Sequence, residues 1–106
     1  MRQWNVNPKI LCRKHLLGEH VECHMVVGSI LKGRSIKRFV EDGLINVHHI
    51  KSRHSELVNE MKARGYNHKS ELPEFNEWVA GCVDPKKNIK ELIRRCPECK
   101  KRIENI

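Results

Sequence analysis

Almost nowhere in this sequence do β-branched and polar residues alternate in the two-residue rhythm of a half-buried strand. Apolar positions recur instead at helical spacing between proline and glycine punctuation, which predicts an all-α fold. Asn7-Pro8 supplies an N-cap and a proline at a first helical position, and Ile10, Leu11, Leu17, Val21, Met25 and Val26 then mark the inward side of a helix ended by Gly33. Gly33 to Gly43 is a basic connector with room for a short turn of helix. A second helix is expected from Val47 to Arg64, with Ile50, Leu57, Val58 and Met61 inward and Gly65 as the left-handed stop. Its charged face carries Lys51, Arg53, Lys62 and Arg64, with Glu60 and Arg64 paired one turn apart. Pro73 to Ala80 reads as a short helix closed by Gly81. Asp84-Pro85 caps a third main helix that buries Ile89, Leu92 and Ile93, and Cys96-Pro97 ends it because proline lacks the N–H a continuing helix uses. The expectation is a single compact domain over residues 1–106, of about three main helices with a short C-terminal Cys-x-x-Cys segment.

A chain of 106 residues is long enough for one core, burying roughly two-thirds of its unfolded surface. Lys and Arg number 21 against 13 Asp and Glu, and a formal charge of +8 on so short a chain favours phosphate backbones as partners. A membrane surface would call for a basic amphipathic helix with aromatic residues opposite the charges, and the few aromatic residues here are scattered. No stretch approaches the roughly 18 apolar residues of a membrane span, so no membrane association is expected. The opening MRQWNVNPKI has no apolar core of a secretory signal, which assigns Met1 to the folded protein. Cys12, Cys23, Cys82, Cys96 and Cys99 are an odd set without a signal peptide, which fits reduced thiols in the cytoplasm, the host cytoplasm for a viral protein. A monomer is expected.

The densest polar cluster is HLLGEHVECH, His15 to His24. On a helix, Glu19 and Glu22 lie three apart, His15 lies four before Glu19, and His20 lies four before His24, giving two neighbouring polar faces. A metal hydrolase of the H-x-x-E-H type needs a different spacing: His15 to His20 spell H-x-x-x-E-H, which turns the first histidine by about 100° around the helix. A solvated helix rich in His and Glu is the plain alternative. Cys96-Pro97-Glu98-Cys99 has the spacing of a tetrahedral zinc knuckle, with Cys82 as a third ligand and the fourth drawn from Cys12, Cys23, a histidine or another subunit. Unligated thiols are the alternative; a redox pair would lack the βαβ setting of thioredoxin-like sites. Such a zinc pins the tail rather than acting in catalysis.

Four segments carry a more specific signal: MRQWN at the terminus, HLLGEHVE at His15 to Glu22, VVGSILKG at Val26 to Gly33, and RHSELVNEMKARGYN at Arg53 to Asn67. The last matches R-x-x-E-L-x-x-E-x-x-x-R-G-[FY]-N. In this order and spacing the chain resembles the pyrimidine-dimer DNA glycosylases, the family of phage endonuclease V. The resemblance implies a compact helical enzyme acting on double-stranded DNA. Such an enzyme flips a nucleotide, attacks sugar C1′ with its terminal α-amine, expels the base through a Schiff base, and cleaves the strand by β-elimination. An α-amine suits that task, since such amines ordinarily titrate at about 7.7 to 8.0 against about 10.4 for lysine.

Carried over residue by residue, Met1 stands where the nucleophilic terminus stands, and the bulk of Arg2 is expected to keep the initiator methionine in place. Arg2 is also expected to meet a phosphate. Glu22 matches the catalytic carboxylate, which stabilises positive charge on the sugar and moves protons. Glu19 is expected to support it, and His15 matches a histidine that orients the sugar or a phosphate. No cofactor is implied for catalysis; a zinc would be structural. Two arginines of the family's pattern are Val21 and Met25 here, and Arg34, Lys37 and Arg38 are expected to supply the missing phosphate contacts. The family's aromatic C-terminal segment is replaced by RCPECKKRI, so pyrimidine dimers are the implied lesion by resemblance alone. These departures define the alternative reading, a non-catalytic, zinc-stabilised nucleic-acid-binding module.

Overall fold

The computed structural model describes residues 1–105, and among them every regular element is helical. A short 3-10 turn at Pro8–Ile10 precedes helix α1, Arg13–Leu31; α2 is Lys37–Glu41; a second 3-10 turn, Val47–His49, leads into α3, Ile50–Ala63; α4 is Pro85–Arg95 and α5 is Pro97–Glu104. The helix expected from Pro8 to Gly33 is therefore interrupted. The Asn7 side chain accepts a hydrogen bond from Lys9 N–H and caps only the 3-10 turn, after which extended backbone at Leu11 and Cys12 restarts the helix at Arg13.

Helix α1 packs against α3 along Leu16, Glu19, His20, Cys23, Val26 and Val27, all buried. Positions three and four apart on a helix share a face, so this stripe turns Val21 and Met25, expected inside, out to solvent. On α3, Ile50, Leu57, Val58 and Met61 are buried as expected. Arg53, expected on the charged face, is buried with them. Arg64 and Glu60 form the expected pair at 2.8 Å, and Arg64 Nη2 also donates to the Leu11 carbonyl at 2.7 Å, tying the end of α3 to the start of α1.

Pro73 to Ala80 is not a helix. Its backbone runs past the start of α3, where Val47 N–H donates to the Ala80 carbonyl at 2.9 Å and the Glu77 carboxylate accepts from Lys51 N–H at 2.9 Å. The first satisfies the opening N–H of the 3-10 turn, and the second one of the N–H groups that α3 leaves free at its N-terminal end. Gly81 follows at φ +85°, and a Cβ there would stand 2.1 Å from the Ile45 carbonyl oxygen. Glycine is thus required by a close backbone crossing rather than by a helix end.

Asp84 caps α4 by accepting from Lys86 and Lys87 N–H, and α4 ends at Cys96 as expected. The chain does not leave helical structure there: Cys96 closes α4 and caps α5, its Sγ accepting from Cys99 N–H at 3.4 Å, while Pro97 occupies the first helical position. The core has two parts. One joins Trp4, Leu11, Leu16, Leu57, Met61, Leu92 and Cys99; the other joins Val26, Val27, Ile45, Val47, Ile50 and Phe75, with Met1 packed at its edge. The N-terminal segment links the two. No helix is long and apolar enough to cross a membrane.

Candidate active site

Six terminal residues are laid down beside α1 by a set of buried bonds. Gln3 N–H donates to the Leu44 carbonyl at 2.7 Å, and its side-chain oxygen accepts from Asn46 N–H at 2.9 Å. Asn88 holds the next residues from α4, its Nδ2 donating to the Trp4 carbonyl at 2.7 Å and its Oδ1 accepting from Arg2 Nη2 at 2.7 Å. The buried Trp4 ring has the Arg2 guanidinium 4.0 Å from its centroid, Arg95 at 5.4 Å, and His15 edge-on at 5.7 Å. Such packing is what keeps this terminus from fraying.

Glu22 lies half-buried on α1 where this segment passes. Burial raises its carboxyl above the usual carboxylate value; the positive terminal amine of Met1 and the backbone N–H of Arg2 pull the other way, and nearby Glu19 adds to the rise. Glu22 lines one hollow with Arg2, the residue that follows Met1.

Glu19, one turn earlier, has a different environment. Arg53 donates to it from Nε at 2.6 Å and from Nη2 at 2.9 Å, and Arg53 Nη1 donates to the Val6 carbonyl at 2.6 Å. A single buried guanidinium thus joins α1, α3 and the N-terminal segment. The Arg53 signal lay in the R-x-x-E-L motif, where it reads as surface charge.

Two hollows flank the terminus. One, of about 330 Å³, is lined by Arg2, Trp4, Lys14, His15, Gly18, Glu19, Glu22 and Arg95. The other, of about 470 Å³, is lined by Met1, Met25, Gly28, Ser29, Lys32, Arg34 and Phe39. The first brings Arg2, His15 and Glu22 together and the second Met1 and Arg34, and they add Lys14, Lys32 and Arg95, which only the net charge could have signalled. Lys37 and Arg38 line neither; they project from α2 beside Glu41 and Asp42, at 3.7 and 3.9 Å. A larger hollow of about 740 Å³, between the Pro8–Ile10 turn and α5, includes neither Met1 nor Glu22.

At the far end of the first hollow, His15 turns Nδ1 toward two thiols, 3.2 Å from Cys12 Sγ and 3.5 Å from Cys99 Sγ, and Cys12 Sγ lies 3.8 Å from Cys96 Sγ. Cys12, His15, Cys96 and Cys99 offer four ligand atoms within 4.8 Å of one another, a group able to hold a metal ion. Cys82, expected as the third ligand, is not in it: it is exposed on the segment before α4, and its place is taken by Cys12 and His15, three residues apart at the start of α1. Burial pushes the Cys99 thiol up to about 12; Cys96 is also pushed up by burial, but hydrogen bonds with Cys99 and Cys12 outweigh this and lower it. His15 is lowered by burial and then by Lys14 and Arg95. Cys23, buried beside Glu19, is pushed up to about 12 and is inert. The His15–Glu19–His20 run does not converge on one ion, since His15 faces thiols and Glu19 faces Arg53.

No curated protein and no solved structure gives a significant match to the chain. A family profile described as pyrimidine dimer DNA glycosylase matches residues 1–74, which contain Met1, Arg2, Glu19, Glu22 and Arg53 and end short of α4 and α5. The match spans well over half of the sequence, and on it the chain belongs to the pyrimidine dimer DNA glycosylase family.

Proposed function

We propose that the chain is a DNA glycosylase with AP-lyase activity, working through the α-amine of Met1 and the carboxylate of Glu22 on a nucleotide flipped from double-stranded DNA. The observation that carries this reading is that Glu22 lines a basic hollow together with Arg2, the neighbour of Met1. The neutral amine attacks sugar C1′, the C1′–N bond breaks, and the base leaves with its electron pair and a proton. The C1′–O4′ bond then breaks to give an iminium, O4′ taking a proton from the Glu22 carboxyl. Glu22 as carboxylate stabilises the positive charge and takes the C2′ proton, and the 3′ phosphate departs by β-elimination. Water finally hydrolyses the iminium and frees the amine. Arg2, Lys14 and Arg95 on one side, and Lys32 and Arg34 on the other, hold flanking phosphates.

Zinc fits the Cys12, His15, Cys96 and Cys99 donor set, three thiolates and an imidazole being a familiar structural combination. There it would pin α5 to the start of α1, and with it the His15 edge of the Trp4 pocket. Catalysis would need no metal. The test is strand cleavage of an abasic duplex and of a pyrimidine-dimer duplex by the native chain and by Glu22→Gln. Loss of cleavage with retained, salt-dependent binding supports the enzyme; binding without any cleavage by the native chain supports a non-catalytic nucleic-acid-binding module instead.

A further inference from the structure

The glycosylase reading leaves half of the His15–His24 run without a role. His20 and His24 stand one turn apart on α1, His54 faces them from α3, and His68 arrives from the segment after α3. The His20 ring lies 5.0 Å from His24, 4.9 Å from His54 and 4.9 Å from His68, centroid to centroid; His24 and His54 are 5.2 Å apart. One ligand nitrogen from each of His20, His54 and His68 lies within 4.8 Å of the others. The Nε2 atoms of all four histidines are shut off from solvent with no hydrogen-bond partner. Native interiors rarely orphan one polar atom, and here four unpaired imidazole nitrogens converge from three separate stretches of chain.

We propose that His20, His54 and His68, with His24 as the fourth ligand, bind a divalent first-row transition-metal ion at a site separate from the Cys12, His15, Cys96 and Cys99 group. An all-imidazole set suits zinc and its neighbours, not magnesium or calcium. Closing to zinc–nitrogen bonds of about 2.0 to 2.1 Å takes side-chain rotation within the cluster. Four ligands leave no open position for water, so this ion is a staple: it fastens the segment after α3 onto α1 and α3.

The test is a cobalt(II) titration of tag-free, metal-stripped, full-length protein, followed by displacement with zinc(II). Two equivalents are expected, one giving a thiolate-to-cobalt charge-transfer band and the other only the weaker visible bands of nitrogen-ligated tetrahedral cobalt. His68→Ala, at a position outside any helix, is expected to lose the nitrogen-only bands and one equivalent while keeping the charge-transfer band; Cys96→Ser with Cys99→Ser should do the reverse. Zinc should also protect the 66–72 segment from proteolysis in the native chain and not in His68→Ala. A titration of the native chain that lacks the nitrogen-only bands overturns the proposal, as does a His68→Ala protein that keeps both equivalents. If His68→Ala loses helicity, the native titration decides alone. A single equivalent with nitrogen-only bands upholds this site and removes the thiolate one.

Discussion

Arg53 grips both oxygens of Glu19, 2.6 Å from Nε to Oε2 and 2.9 Å from Nη2 to Oε1, and neither side chain sees solvent. The pair fixes the turn of α1 that carries Glu22, and through the Val6 carbonyl it fixes the chain leading back to Met1. Arg53→Ala leaves a buried carboxylate unpaired and is expected to cost about 3 to 5 kcal/mol, measurable by urea unfolding. Arg53→Lys should also be costly, because an ammonium cannot reproduce the two-pronged contact. A loss under about 1 kcal/mol would mean the pair is solvated.

Two glycines separate fold from site. Gly81→Ala puts a methyl against the Ile45 carbonyl and forces a positive φ on alanine, so stability should drop by more than about 1 to 2 kcal/mol. Gly18→Ala is the opposite case: its Cβ meets nothing, and a glycine removed from a helix interior gains up to about 1 kcal/mol. Gly18 lines the hollow beside Glu22, so this more stable variant should cleave more slowly. Thermal unfolding and cleavage assays on the same samples check both.

Glu22 gives a pH dependence with a definite sign. Its carboxyl is raised in the fold, chiefly by burial, so the native state binds its proton more tightly than the unfolded chain does. Its contribution to stability is complete below the unfolded carboxylate value and is lost as pH rises through the folded one. Glu22→Gln should therefore be more stable than the native chain at neutral pH while being inactive. The acid limb of kcat/KM for the native chain should lie above that of a free glutamate. An acid limb at or below the value of a free glutamate would contradict this.

Chelation tests the thiolate group. Removing a metal from Cys12, His15, Cys96 and Cys99 should loosen α5 and expose the 96–105 segment to proteolysis, with a fall in helicity no larger than that helix. Cys82→Ser should change nothing in this assay, since Cys82 is exposed and outside the group.

The parts legible in the sequence are those governed by local rules. Leu57, Val58 and Met61 fall inside because three-four spacing places them there, and Asp84-Pro85 caps α4 because its side chain reaches the next free N–H groups. The rest depends on partners far along the chain. Arg53 reads as surface charge until Glu19, on another helix, neutralises it. His20 and Glu19 take places on the buried stripe of α1, which displaces Val21 and Met25 outward. Pro73–Ala80 has the punctuation of a helix, but its hydrogen bonds go to Val47 in the 3-10 turn and to Lys51 at the start of α3. Pro97 ends one helix and begins the next, a dual role that its missing N–H permits. At the site, Met1, Arg2, Glu22 and Arg34 could be named from the sequence, whereas Lys14 and Arg95 needed the fold to bring them to Trp4 and Glu22.

The central claim is that the nitrogen of Met1 is the nucleophile. Borohydride reduction during reaction with an abasic duplex, followed by proteolysis and mass spectrometry, locates the trapped sugar. The account predicts an adduct on the α-nitrogen of the peptide beginning MRQWN, and loss of that adduct when the terminus is acetylated. An adduct on a lysine side chain, or one formed at full yield by the acetylated chain, would contradict it.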